Sequence, residues 1–112
     1  MIRVELTLDQ KMCLLDLYVY GHSVKRGPGG SVPCAAVSAL AGSAARLIES
    51  EGSILHRGKA ETEGELVLHI DGISEDHREW LRGITDFLIT GMKTVETEYP
   101  NECSVVLKIQ ED

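Results

Sequence analysis

The sequence YGHSVKRGPGGSVPCAAVSAL, residues 20–40, contains the change from strand to loop to helix on which the fold depends. Four glycines and a proline within residues 21–30 predict a loop without regular structure. Pro33 then fits the first turn of a helix, where a missing N–H costs nothing. His22 and Cys34 lie at the two ends of this loop, which raises the question of whether they act together.

The segments around this stretch alternate between apolar and polar residues, a pattern that is typical of strands with one buried face. Residues 2–8 alternate strictly, and a second β-rich run follows a polar turn and ends at Tyr20. Further strands are predicted at 53–59, 65–71 and 103–109. The first two strands are expected to form a hairpin.

Apolar residues at spacings of three and four predict two helices. The first follows the glycine-rich loop and ends near Glu51; the second begins at Ser74, the predicted cap, and ends before Pro100. The predicted packing face of the first helix is formed by Val37, Leu40, Ala41, Ala44, Leu47 and Ile48. That of the second is formed by Trp80, Leu81, Ile84, Phe87, Leu88, Met92 and Val95.

The element order ββαββαβ predicts an α+β fold: a small mixed or antiparallel sheet with two helices on one face. A chain of 112 residues is long enough for one hydrophobic core and too short for two. We therefore expect a single domain over residues 1–112.

The charge balance limits the possible partners. Eighteen acidic residues against eleven basic ones give a net charge of −7, which disfavours direct nucleic acid binding and favours a basic protein partner. No continuous apolar run reaches the roughly 18 residues of a membrane span, so a cytoplasmic protein without membrane contact is expected. The three cysteines, Cys13, Cys34 and Cys103, form no CxxC motif and are expected to be reduced thiols.

The loop and helix offer the parts of a nucleophilic site. A cysteine reacts as the thiolate, which the partial positive charge at a helix N-terminus stabilises. His22 could take the thiol proton of Cys34 and return it to a leaving amine, while N–H groups of the first helical turn stabilise an oxyanion. Ser38, one helical turn after Cys34, is placed to support the nucleophile.

Other interpretations of the same residues remain open. Cys34 could be an ordinary buried thiol at a helix start, because one histidine and one cysteine form an unspecific pattern. A metal site made of His22, His56, His69 and Cys34 is disfavoured, because no two of these residues have short ligand spacing on one element. We therefore expect neither a metal nor another cofactor.

The segment from Gly21 and His22 through the glycine-rich loop to Cys34-Ala-Ala-Val-Ser-Ala-Leu40 resembles the signature of the ribosomal-processing cysteine protease family, Prp. The similarity extends over nearly the whole chain, including the acidic second helix and its ETEYP ending. The resemblance implies that His22 and Cys34 form a catalytic dyad. It also implies a homodimer that removes the N-terminal extension of a large-subunit ribosomal protein.

Two features of the loop bear on this resemblance. The glycines Gly27, Gly29 and Gly30 would let the loop cover the site and open for a peptide. Many relatives carry an acidic residue three positions before the cysteine, where this chain has Ser31. If that carboxylate orients the histidine, the role falls here to Ser31, to another residue or to no residue.

The departure at Ser31 keeps two other functions open. A non-catalytic, ribosome-associated module would bind the same partner without turnover. A thiol redox sensor would oxidise rapidly at Cys34 and be indifferent to replacement of His22.

Overall fold

The computed structural model describes residues 1–21, 32–59 and 65–111, apart from the side chain of residue 59. Over these residues the elements follow the predicted order ββαββαβ. They are β1 (Ile2–Leu8), β2 (Leu14–Tyr20), α1 (Val32–Ser50), β3 (Ile54–Lys59), β4 (Leu66–Ile73), α2 (Arg78–Glu98) and β5 (Cys103–Ile109).

The five strands form one mixed sheet in the order β3-β4-β2-β1-β5. All neighbouring strands are antiparallel except β1 and β5, which are parallel, with Ile2 opposite Cys103. This register places the beginnings of β1 and β5 at the end of the sheet where β2 finishes, since Arg3 pairs with Tyr20. We call this the upper end of the sheet, and the opposite end, with the β1–β2 turn, the lower end.

Both helices cover the same face of the sheet and enclose one hydrophobic core. Strand β1 lies between two others and buries every second residue, namely Ile2, Val4, Leu6 and Leu8. Helix α1 runs from the upper end to the lower end, because it connects the end of β2 to the beginning of β3. Helix α2 returns to the upper end, because it connects the end of β4 to the beginning of β5. The buried residues of α1 are Pro33, Val37, Ala41, Ala44 and Ile48.

Helix α1 is apolar on more than its buried face. Its 19 residues include an 18-residue window with a mean hydropathy of 1.2, so length and composition alone would allow it to cross a membrane. No apolar segment long enough to span a membrane is expected from the sequence, and α1 is an exception to that expectation by length and hydropathy. Its valine, leucine, isoleucine and alanine residues give this hydropathy, and its buried flank packs in the core, as in the core helix of a globular domain.

The packing face of α2 differs from the predicted one by a rotation of the helix. Leu81, Leu88, Met92 and Val95 are buried as predicted, but Trp80 and Phe87 are exposed and Thr85 is buried in their place. The pairing between β1 and β2 is irregular at Leu8, next to Leu14, whose N–H reaches the helix. Thr85 Oγ1 accepts a hydrogen bond from that N–H at 3.0 Å and donates to the Leu81 carbonyl at 2.8 Å.

We expect Thr85→Val to destabilise the fold by about 1–3 kcal/mol, because valine fills the same space but leaves the buried N–H of Leu14 without an acceptor. Urea unfolding measures the change in the free energy of unfolding. Thr94→Val is the matched control, since the Thr94 hydroxyl also donates to the carbonyl four residues back but is exposed. Equal losses in both variants would show that the bond to Leu14 contributes nothing.

The start of α2 also corrects the prediction for Ser74. A short 3₁₀ turn, Glu75–His77, precedes the α-helix, and Ser74 makes no capping hydrogen bond to the backbone through its side chain. Its hydroxyl lies 2.8 Å from His77 Nδ1 instead. Arg78 at the first position of α2 joins the helix to the lower end of the sheet, because it donates to Asp9 at 2.9 Å.

Candidate active site

The backbone at the end of β2 has a conformation that only glycine adopts without strain. Gly21 has φ +92°, and a Cβ on this residue would overlap the carbonyl oxygen of Met1. The chain therefore passes closely over the beginning of β1 before it continues into residues 22–31. This close contact fixes the point at the upper end from which the glycine-rich segment departs.

Cys34 lies in the first turn of α1, as the sequence predicts. The first N–H groups of a helix have no partner within it, and Pro33, which lacks an N–H, is buried against the core. The first turn carries no acidic side chain that would oppose a thiolate. Cys34 is partly buried, packs against the hydrophobic core and keeps an accessible fraction.

The beginning of β5 lies close to Cys34. After α2, a turn closed by the Tyr99 carbonyl, which accepts from the N–H of Cys103 at 3.0 Å, leads into β5 beside β1. Burial raises the pKa of the Cys103 thiol, and electrostatic interaction with the nearby Glu96 and Cys34 side chains raises it further. Cys34 is therefore near enough to β5 to act on it electrostatically, and the two cysteines share the upper end.

The other two cysteines lack the exposure of a reactive thiol. Cys13 is 2% exposed and Cys103 is 1% exposed. Burial raises the pKa of Cys13, with a further increase from the nearby carboxylate of Asp9. Since the thiolate is the nucleophile, both residues are suited to packing, and Cys34 is the cysteine that combines a helix N-terminus with exposure.

Ser38 lies one helical turn after Cys34 on the same flank of α1 and is exposed. Both residues lie on the side of α1 away from Leu40, the residue that contacts Gly91 of α2. This flank is turned away from α2 and is open to solvent at Ser38, which leaves room for a ligand beside Cys34.

Several predicted site residues lie outside the described part of the chain. These are His22, Ser31 and the loop glycines Gly27, Gly29 and Gly30. The structure describes the two ends of their segment, Gly21 at the end of β2 and Val32 at the start of α1. The pairing of His22 with Cys34 accordingly remains a prediction.

His69, one of the histidines considered for a metal site, does not lie beside Cys34. His69 lies on the sheet face opposite the helices, where its Nδ1 contacts Asp16 and its Nε2 is 3.3 Å from Asp71. His69 and Cys34 are therefore on opposite sides of the sheet and cannot share a metal. Within residues 1–21, 32–59 and 65–111, no three His, Cys, Asp or Glu side chains form a metal-binding cluster.

Glu96 is a neighbour of the site that the sequence analysis missed. Its Oε2 accepts a hydrogen bond from the N–H of Val105 at 2.7 Å. This bond satisfies a backbone group on the free edge of β5 and anchors the end of α2 beside Cys103. An acidic residue in a helix surface gives no sequence signal for such a contact, because the partner lies on a strand nine residues later.

Comparison with known proteins identifies the family to which the chain is related. The chain matches the family described as Cysteine protease Prp over residues 1–104, whereas no curated protein sequence matches it. One similar structure is the ribosomal processing protease Prp from S. aureus with a covalently linked product peptide. Its TM-score is 0.80 at 19% identity, over 96% of this chain and 100% of that one. The same S. aureus protease with a substrate peptide has a TM-score of 0.76 at 18% identity, with the same coverage.

A third structure, SMU.848 from Streptococcus mutans, has a TM-score of 0.77 at 17% identity and covers 98% of this chain and 96% of its own. The shared architecture confirms the predicted α+β fold, and the family match over most of the chain confirms the resemblance noted in residues 20–40. The chain belongs to the Prp family of cysteine proteases.

Proposed function

We propose that this chain is an endopeptidase that removes the N-terminal extension of a large-subunit ribosomal protein, with Cys34 as nucleophile and His22 as base. The observation that carries the proposal is the partly exposed thiol of Cys34 in the first turn of α1. It lies at the end of the sheet where β2 leads through Gly21 into the segment that begins with His22.

In the proposed reaction, His22 takes the proton of the Cys34 thiol, and the sulfur attacks the carbonyl carbon of the scissile peptide bond. The N–H groups of the first turn of α1, including that of Cys34, stabilise the negative charge on the carbonyl oxygen. The intermediate collapses when His22 returns the proton to the leaving amine. Water then hydrolyses the thioester, with His22 again accepting a proton, which restores the free thiol.

Two serines have supporting roles in this proposal. Ser38 lies on the flank of α1 that carries Cys34 and is exposed, so its hydroxyl is available to the thiolate or to the loop. Ser31 stands where many relatives carry an acidic residue, and in this proposal it orients the histidine. The glycines Gly27, Gly29 and Gly30 let the intervening loop open for the peptide and close over it.

The proposed substrate agrees with the charge of the chain. A net charge of −7 attracts a basic ribosomal protein and its extension. The S. aureus structures carry the name of a ribosomal processing protease, one with a covalently linked product peptide and one with a substrate peptide. Because ribosomal proteins are made in the cytoplasm, we propose that this chain acts there.

The role of His22 is tested with a peptide that spans the extension junction of the ribosomal protein encoded in the same genome. We expect His22→Ala to lower kcat by about 10²–10⁴-fold, because general acid–base catalysis is worth that much. Added imidazole should restore part of the rate, since it replaces the missing proton acceptor. Cleavage is followed by mass spectrometry of the two product peptides.

The same assay distinguishes the other two functions. A binding module would bind the junction peptide without turnover in the native chain. A redox sensor would react rapidly with peroxide at Cys34, and His22→Ala would leave that rate unchanged. Unchanged peptide cleavage in His22→Ala would contradict the dyad.

We further propose that the chain forms a homodimer through the outer surface of its two helices. Leu47 was predicted to pack in the core with Trp80 and Phe87, but the three are 50%, 37% and 69% exposed. The two helices run antiparallel and meet where Leu40 contacts Gly91. Leu47 and Phe87 lie two turns and one turn from that contact in the same direction, so they border one apolar patch on the helical surface.

We expect Phe87→Glu to produce a monomer, because the charge would be buried in the interface without a partner. Light scattering after size-exclusion chromatography measures the mass. Exposed Asp86→Ala, one residue away, is the control and should leave the mass of the native dimer unchanged. A native chain that is monomeric at all concentrations would contradict the proposal.

A further inference from the structure

A cavity of about 350 Å³ opens between α1 and the β3–β4 hairpin, away from Cys34. Its lining residues are Ala45, Glu49, His56, Gly58, Leu66, Val67 and Leu68. Gly58 lies opposite Leu68, which is buried beneath the helices, so position 58 faces the helix layer as well. Gly58 has no side chain and Ala45 is small, which leaves this space between the helix and the sheet.

The cavity continues the flank of α1 that carries the nucleophile. Cys34, Ser38, Ala45 and Glu49 recur at spacings of four and seven residues, which places them on one side of the helix. At a rise of 1.5 Å per residue, the cavity begins about 16 Å from Cys34 and reaches about 22 Å at Glu49. An extended peptide covers that distance with about five to seven residues.

The lining selects one type of side chain. Leu66 and Leu68 provide an apolar wall, and the carboxylate of Glu49 stands exposed at the lower end. Glu49 is exposed and lines the cavity, so a ligand there can reach its carboxylate. Lysine and arginine combine an apolar stem with a cationic head and match this wall and carboxylate.

We propose that this cavity is a remote subsite of the substrate groove that takes a lysine or arginine side chain about five to seven residues from the cleaved bond. The inference rests on the proposed endopeptidase function and adds a determinant of its specificity. The peptide lies along the exposed flank of α1, with the scissile carbonyl at Cys34 and the basic side chain between α1 and β3. Glu49 binds the cationic head, and the absent side chain of Gly58 makes room for the stem.

The test is a set of junction peptides in which lysine or glutamine occupies each position from three to nine residues away, on both sides of the bond. We expect kcat/KM to favour lysine by up to about fivefold at one position in the five-to-seven window, as for an exposed ion pair. Glu49→Lys should abolish this preference, and glutamate in the peptide at that position should then restore the rate. Glu79→Lys, an equal charge change on α2, should keep the lysine preference.

A second variant tests the space rather than the charge. Valine at position 58 suits a strand and fills the cavity. We compare kcat/KM for a junction peptide long enough to reach the cavity with kcat/KM for one that is too short to reach it. In Gly58→Val the ratio of the first to the second should fall at least about tenfold. A flat lysine scan, or an unchanged preference in Glu49→Lys, would overturn the inference while Cys34-dependent cleavage still supported the endopeptidase. Absence of any Cys34-dependent cleavage would overturn the proposed function itself.

Discussion

Replacing Cys34 with alanine is expected to abolish cleavage of the junction peptide, with a loss on the order of 10⁴-fold or more in kcat. The size of the loss follows from the mechanism, because the covalent thioester cannot form without the sulfur. The fold should tolerate the change, since Cys34 is only partly buried and alanine suits a first helical turn. Product formation is followed by mass spectrometry and the free energy of unfolding by urea titration.

Cys13→Ala is the matched control for this experiment. It removes a thiol at the lower end of the sheet, where Cys13 donates its backbone N–H to Asp9 at 3.0 Å. Cleavage should therefore continue at the native rate per folded molecule, even if truncation of a buried side chain lowers stability. Loss of cleavage in Cys13→Ala with retention in Cys34→Ala would reverse the assignment of the nucleophile.

Gly21→Ala is expected to reduce both stability and activity. The positive φ and the overlap with the Met1 carbonyl should cost about 1–3 kcal/mol of unfolding free energy. Relief of that overlap moves the end of β2, and with it the attachment point of His22. A displacement of about 1 Å in a catalytic group can cost about 10²-fold, so kcat per folded molecule should fall as well.

Gly83→Ala separates this local effect from the general effect of adding a methyl group. Gly83 is exposed in α2, and a Cβ there would contact nothing within 4 Å. Alanine should stabilise the helix by up to about 1 kcal/mol and leave cleavage at the native rate. If Gly21→Ala loses stability but keeps the native kcat per folded molecule, the position of Gly21 matters for folding alone.

The order and type of the secondary-structure elements follow from periodicity in the sequence. Alternating apolar and polar residues predicted β1, and apolar residues at spacings of three and four predicted α1; the structure contains both elements. The β1–β2 hairpin was predicted and is confirmed. The order of the other strands was not readable, because the parallel contact between Ile2 and Cys103 joins the two ends of the chain. Periodicity describes which side of a strand is buried and carries no information on which strand lies beside it.

The faces of the helices were predicted less accurately than their bounds. Trp80, Phe87 and Leu47 fit the apolar stripes by spacing but lie on the outer flanks, whereas the polar Thr85 is buried. Hydrophobicity alone could not reveal that the N–H of Leu14 needs a hydrogen-bond acceptor in the core. The same exposed residues gain a different role in the proposed dimer.

The candidate site was partly predictable. Pro33 and the alanine-rich segment correctly located Cys34 in a first helical turn, because both signals are local. The spacing of His22 and Cys34 could not define their contact, since a glycine-rich connection imposes no geometry. The cavity beside Gly58 and Glu49 was not predictable either, because it is formed between a helix and a hairpin that only the fold brings together.

The central claim, that Cys34 is the nucleophile of a peptidase, is tested most directly with a peptide chloromethyl ketone that carries the residues preceding the cleaved bond. We expect a single thioether adduct, mapped by mass spectrometry to Cys34, with loss of cleavage in proportion to labelling and protection by the junction peptide. Full labelling of Cys34 with unchanged cleavage, or an inactivating adduct on Cys13 or Cys103, would contradict it.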